Sequence, residues 1–222
     1  MSNNFVIFRC AKLKQGNSSK SLNKAWRHLE KHTQSAEISH PELSQQNMTY
    51  YSKAVQKSGH HKIIKNAIAL HNKNSTKKLR TDAAIGVEMI FSFSPSAVGS
   101  FSISDYEKHL MLFIKKEFPT FQILRIDRHM DESSIHWHVL GIPFKDRERV
   151  LISAKSMLGG PEEMRQHQTH IANEMESLGL VRGISKKYTK NIHRSKSDWL
   201  RDSIVKESHQ ALKDIGLDDF EL

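Results

Sequence analysis

Hydrophobic positions in this chain come in short blocks whose spacing changes along its length. Phe5–Cys10 (FVIFRC), Ala84–Phe93 (AIGVEMIFSF), Phe121–Arg128 (FQILRIDR) and Trp137–Phe144 (WHVLGIPF) are compact apolar runs rich in β-prone residues, and each predicts a strand. Helical spacing takes over between them. Leu22, Ala25, Trp26 and Leu29 predict a helix over 21–31, and Ile63, Ile64, Ala67, Ile68 and Leu70 one over 52–72. Ser104 with Glu107 reads as a capping box opening a helix whose stripe is Tyr106, Leu110, Phe113 and Ile114, closed by Pro119. Pro161, with Glu162 and Glu163 behind it, opens a helix over 161–178 that stops at Gly179. A last helix is expected over 198–215. The stretches 12–20 and 33–50 are polar and weakly patterned and read as loops. Strands with helices between them predict an α+β fold, a central antiparallel sheet flanked by helices.

Composition narrows the function classes. The 222 residues carry a net charge of +10, and hydrophobic residues make up 37%. No segment reaches the roughly 20 apolar residues of a membrane span, so no membrane segment is expected. The start, MSNNFVIFRCAK, does not read as a secretory signal. A single cysteine, Cys10, excludes an intrachain disulfide framework and a multi-cysteine zinc finger, and it fits the cytoplasm. Cys10 lies in an apolar strand and reads as core. The positive charge is uneven. Residues 53–80 hold 8 basic residues and no acidic one, and residues 182–206 hold 8 basic and 2 acidic. Residues 81–181 hold 10 basic and 14 acidic. A mildly acidic centre with basic flanks suits a nucleic-acid backbone as partner. The basic residues expected to touch DNA are Lys12, Lys14, Arg27, Lys77, Lys78, Arg80, Arg182, Lys186, Lys187 and Arg194. Trp26 and Tyr188 are candidates to stack on a base.

The chemistry concentrates in His129-Met-Asp-Glu-Ser-Ser-Ile-His136-Trp-His138. His136 and His138 are two apart on a predicted strand and share one face, with Trp137 and Val139 on the other. His129 ends the preceding strand, and a hairpin would bring it beside them. Three imidazoles on one face suit Mn²⁺, Mg²⁺, Zn²⁺ or a similar divalent ion. Asp131 or Glu132 would orient a ligand or move a proton. Neutral ligands add no negative charge, so a phosphodiester would not be repelled. The spacing leaves the nucleophile open among Tyr50, Tyr51, Tyr106, Tyr188 and other histidines.

The segment His129–His138 resembles the HUH motif of rolling-circle nucleases, in the H-x-D-E-x-x-P-H-x-H form of the MobV (Pre/Mob) plasmid mobilisation relaxases. Other stretches are similar in order and spacing: Ala11-Lys-Leu-Lys-Gln-Gly-Asn17, Ala25-Trp-Arg-His28 with Met48-Thr-Tyr50, Leu79-Arg-Thr-Asp-Ala-Ala84 through Glu88, and Leu178-Gly-Leu-Val-Arg-Gly-Ile-Ser-Lys186. The resemblance implies an HUH relaxase fold over 1–200 with a C-terminal helical extension at 201–222. It implies a metal-dependent, site- and strand-specific nick at an origin of transfer, with Mn²⁺ or Mg²⁺ as cofactor. The partners implied are single-stranded and hairpin plasmid DNA and a conjugation coupling protein. By position it makes His129, His136 and His138 metal ligands, Glu132 the acidic active-site residue and His28 the nucleophile, with His32 and Tyr50 as rivals. Ile135 stands where the family has Pro, and Thr49 where it has Asn. Two neighbouring functions use the same parts. A replication initiator or single-strand transposase places a tyrosine on the helix after the motif, and 161–178 has none. A DNA-binding autoregulator would need only the basic surface.

Overall fold

The structure, a computed structural model, describes residues 4–16, 20–34, 38–94, 97 and 101–183. Strand β1 (Asn4–Lys14) is followed by helix α1 (Leu22–Glu30), a short edge strand β2 (Met48–Tyr51), and helices α2 (Lys53–Ser58) and α3 (His60–Asn74). Then come β3 (Ala84–Phe93), α4 (Ile103–Glu117), β4 (Phe121–His129), β5 (His136–Asp146), β6 (Leu151–Ile152), α5 (Ala154–Leu158), α6 (Pro161–Glu174) and β7 (Leu180–Arg182). The sheet order is β2-β4-β5-β3-β1-β7, with β6 on β5. Every pairing is antiparallel except β1 with β7, so the sheet is mixed by one short parallel edge.

β5 is central, and its first nine residues, His136 to Phe144, are all buried. Its alternation divides the core between the two sheet faces. Trp137 and Val139 join Phe8, Phe91, Phe113 and Ile171 under α4 and α6. Leu140 and Ile142 join Leu22, Trp26, Leu29 and Ile64 under α1 and α3. His136 and His138 have the parity of Leu140, so they project from the α1/α3 face. The β4–β5 pairing has an irregularity between Ile123 and Arg125, and Gly141 lies opposite it. A Cβ at Gly141 would stand 2.3 Å from the Gln122 carbonyl oxygen, so only glycine fits there.

Several boundaries differ from the sequence expectation. The helix expected over 52–72 is two helices, broken where Gly59 takes φ +73°. α4 is capped two residues earlier than expected. Ser102 accepts from the Asp105 backbone N–H while Asp105 accepts from the Ser102 backbone N–H, which frees Glu107 to pair with Arg128 and Trp137. The helix over 161–178 ends at Glu174 and finishes as a 3₁₀ turn, with Gly179 in the left-handed region. β1 runs on to Lys14, which puts Lys12 and Lys14 on a strand rather than in a loop. The polar stretch 33–50 holds two 3₁₀ turns and most of β2. The helix over 198–215 and the extension at 201–222 lie outside the described residues.

Candidate metal centre

β4 and β5 are in register with His129 opposite His136, and Asp127 opposite His138. The hairpin therefore brings three imidazoles onto one face. Their ring centroids lie 5.0–5.1 Å apart, and one ligand nitrogen from each ring falls within 4.8 Å of the other two. All three are buried. His136 Nδ1 is 2.8 Å from the Ser134 carbonyl oxygen, which can only accept, so Nδ1 carries the proton and Nε2 keeps its lone pair. His138 Nδ1 donates to Glu88 Oε1 at 2.8 Å, with the same result for its Nε2. His129 Nδ1 is buried and makes no hydrogen bond, and Glu132 Oε1 stands 3.5 Å from it. A buried nitrogen without a partner, beside two lone pairs fixed by outer hydrogen bonds, fits a divalent cation.

The electrostatics agree. Burial, then the nearby His138, push the His136 imidazole down to about 4. Burial also lowers His129. Both rings are neutral ligands at pH 7. Burial works to raise the Glu132 carboxyl, but the His129 imidazole beside it outweighs that, so Glu132 is held below the usual carboxylate range and stays ionised. Its Oε1 stands 3.8 Å from His136 Nε2 and 3.6 Å from His32 Nδ1.

The connection 130–135 is more buried than a tight polar turn, with Met130, Asp131 and Ile135 inside. Asp131 organises what packs on it. Its side chain takes bonds from His32 Nε2 (2.8 Å), Ser44 Oγ (2.6 Å) and Asn47 Nδ2 (2.8 Å), and its carbonyl accepts from the N–H groups of Ser39 and His40. Against the effect of burial, these hydrogen bonds hold its carboxyl at about 2. The segment after α1 is thereby folded onto the site.

That packing separates the two histidines in and after α1. His32 is buried, stacks on His129 with centroids 3.6 Å apart, and belongs to the site. His28 lies one turn earlier, exposed on α1, and outside the cluster. Among the tyrosines, Thr49 and Tyr51 turn toward Asp127 and Arg125, so Tyr50 projects from the opposite face. Tyr106 is buried with its hydroxyl on the Ala97 carbonyl oxygen. Tyr188 lies outside the described residues. Trp26 is 2% exposed, between Tyr51 and His60 and against the Arg125 guanidinium, so it has no free face for a base. Arg125 in turn is locked on Asp127 through Nε and Nη2, which makes a buried polar floor beside the histidines. A cavity of about 360 Å³ runs from His32 and His129 to this floor.

The basic residues are spread more widely. Lys14, Arg27, Lys77, Lys78 and Arg80 are exposed, with Arg80 paired to Asp82. Lys12 is exposed but lies in register with Val87, on the face away from the histidines. Arg182 donates to Thr169 of α6, also on that far side. Lys186, Lys187 and Arg194 lie outside the described residues. Arg9 is a residue that sequence reasoning missed. It is exposed, opposite Ile90, which is opposite His138, so it shares the histidine face two strands away. The period-two pattern Arg9, Ala11, Leu13 carried that information.

The family profile of the plasmid recombination enzymes (Mob_Pre) matches residues 2–198. The chain belongs to this family. Plasmid recombination enzyme type 3 of Staphylococcus aureus is 22% identical over 200 residues, 88% of this chain and 47% of that protein. The type 3 enzyme of Mammaliicoccus lentus matches to the same extent. The chain thus spans about half the length of the curated plasmid recombination enzymes it matches. Among solved structures, the Mn-bound MobM relaxase domain on plasmid pMV158 oriT DNA superposes with a TM-score of 0.68 at 23% identity, covering 89% of this chain and 99% of that one. A complex with a 23-nucleotide oriT DNA gives 0.69 at 22%. These likenesses establish the relaxase fold for this family member. No helix among the described residues is long and apolar enough to cross a membrane.

Proposed function

We propose that this chain is a relaxase: a metal-dependent, strand-specific DNA endonuclease and transesterase that nicks and rejoins one strand at a plasmid origin of transfer. The observation that carries this reading is the set of three buried imidazoles whose lone pairs converge, beside an ionised Glu132, on one open sheet face. The Mn in the MobM structures makes Mn²⁺ the metal of choice, with Mg²⁺ next. When bound, the ion would be held by His129, His136 and His138 and would withdraw charge from the scissile phosphate. Glu88 and the Ser134 carbonyl orient two of those ligands. Glu132, among the imidazoles, is placed to hold a proton or steady the ion. Lys14, Arg27, Lys77, Lys78 and Arg80 hold the backbone of single-stranded and hairpin origin DNA, with Arg9 beside the histidine row. Lys12 and Arg182 serve only DNA that wraps to the far face.

The nucleophile assigned by the family resemblance is His28. A neutral imidazole nitrogen attacks phosphorus, an N–P bond forms, and the P–O3′ bond breaks as the 3′ oxygen takes a proton. The product is a 5′-phosphohistidine adduct, and rejoining reverses the step. Exposure on α1 leaves His28 free to meet a phosphate bound above the metal centre. A second reading makes His32 the attacker. It is favoured by the 2.8 Å bond to Asp131, which fixes that ring with Nδ1 toward Glu132. Peptide mapping of the adduct separates the two. DNA on His28, lost in His28→Ala, supports the first reading. DNA on His32 supports the second, and an acid-stable adduct on tyrosine refutes both. DNA binding without any nick would leave an autoregulator. The nick would take place in the cytoplasm, and a conjugation coupling protein would receive the adduct.

A further inference from the structure

The sheet histidines are not the last set of ligand groups in this chain. On the opposite face, α4 ends at Glu117, and α6 turns His167 and His170 toward it. The two histidines are three apart and so share one side of their helix. Glu117 Oε1 is 2.6 Å from His167 Nδ1 and 2.9 Å from His170 Nδ1. His167 Nε2 lies 3.2 Å from the Leu158 carbonyl oxygen. A carbonyl only accepts, so Nε2 carries the proton, and in a neutral ring Nδ1 is then a bare lone pair facing a carboxylate oxygen. Two acceptors at that distance need a positive centre between them, either a second ring proton or a metal ion.

We propose that Glu117, His167 and His170 form a second divalent-cation site, of the zinc class, that clips α4 to α6. Two imidazoles and one carboxylate are a common zinc set. One ligand atom from each residue lies within 4.8 Å of the others. Adjacent ligands on tetrahedral zinc stand roughly 3 Å apart, so the rings need to retreat by only about half an ångström. His170 is half exposed and free to do so. The Leu158 carbonyl plays the part that an outer acceptor plays for a metal-bound histidine. His167 is wedged between Phe118 and Phe8, at centroid distances of 4.8 and 6.4 Å, which fixes its ring. Glu117 is the last residue of a 15-residue helix, the end that favours a cation. A cavity of about 270 Å³ borders Glu117 and His170 and leaves room for water as the fourth ligand. Between the two histidines, Gln168 bonds both the N–H and the carbonyl of Phe8 in β1. The clip would therefore stiffen the helical layer against the strand next to β3.

The test is a zinc titration of the untagged full chain against a chromogenic chelator. The wild type should take up two equivalents of Zn²⁺. His170→Ala and Glu117→Gln should each weaken one equivalent by at least about 10-fold and leave the other intact. A variant with His129, His136 and His138 all replaced by Ala should retain one equivalent, and Zn²⁺ should raise its Tm. Adding His170→Ala to it should abolish that rise. A variant with those three alanines that keeps its fold but takes up no Zn²⁺ overturns the proposal. So does a second equivalent that is indifferent to both His170→Ala and Glu117→Gln. Because these substitutions lie on the far face, their outcome is independent of nicking.

Discussion

Glu88 offers a sharp perturbation of the metal centre, because it touches the ligand set without belonging to it. Its Oε1 accepts the His138 Nδ1 proton at 2.8 Å, and both side chains are largely buried, at 14% and 10% exposure. That bond keeps the Nε2 lone pair of His138 directed at the site. Removing such an outer partner typically costs 10–100-fold in metal affinity, roughly 1.4–2.7 kcal/mol. A hydrogen bond to a charged group is worth about 1.5–3 kcal/mol, which agrees. Glu88→Ala should therefore raise the Mn²⁺ Kd by about 10–100-fold. Glu88→Gln keeps an acceptor oxygen but loses the charge, and should fall near the lower bound. Free Mn²⁺ measured by electron paramagnetic resonance during titration gives the Kd directly. Nicking by Glu88→Ala should recover as Mn²⁺ is raised, which a misfolded protein would not do. An unchanged Kd in Glu88→Ala would refute the assignment of His138 as a ligand held by Glu88.

Three further outcomes test the scaffold and its surface. Asp127→Ala strands the buried Arg125 guanidinium, whose Nη1 already makes no hydrogen bond. It should cost about 3–5 kcal/mol in urea unfolding, and a loss under 1 kcal/mol would contradict the buried pair. Gly141→Ala drives a methyl into the Gln122 carbonyl and the Phe121 ring, at 2.3 and 2.5 Å. It should lower stability by about 1–3 kcal/mol or more, and an unshifted Tm would contradict the β4–β5 register. The affinity for single-stranded origin DNA should fall linearly on a log–log plot against salt, and Lys77→Ala/Lys78→Ala should flatten the slope by about 1.4. A slope indifferent to salt would mean that the basic stretches do not touch phosphate.

Much of this architecture was legible in the sequence, and its failures have physical causes. The four long strands follow from compact apolar runs of β-prone residues, and the shared face of His136 and His138 follows from the two-residue period of any strand. β2 was missed because MTYY is too short to show a period and gains its place by pairing with β4. The break at Gly59 hides in a run of helix formers, because a positive φ leaves no mark on hydrophobic spacing. α4 begins early because Ser102 and Asp105 satisfy the same capping rule as Ser104 and Glu107, and tertiary contacts of Glu107 decide between them. The role of Asp131 was open to either reading. Its bonds come from His32, Ser44 and Asn47, up to 99 residues away, and no local spacing encodes them. Trp26 looked like a stacking platform because a tryptophan in a basic segment often is one, but here Arg125 and His60 occupy its faces.

On the proposed function, His129, His136 and His138 hold the ion on which nicking depends. This is tested most directly by nicking of supercoiled plasmid carrying the cognate origin, with the wild type and His136→Ala compared in Mn²⁺ and in EDTA. Wild-type protein in Mn²⁺ should convert supercoiled plasmid to the open circle. EDTA should stop the reaction, and His136→Ala should slow it by at least about 10–100-fold while still binding origin DNA. Nicking at the wild-type rate by His136→Ala, or by the wild type in EDTA, would contradict the account.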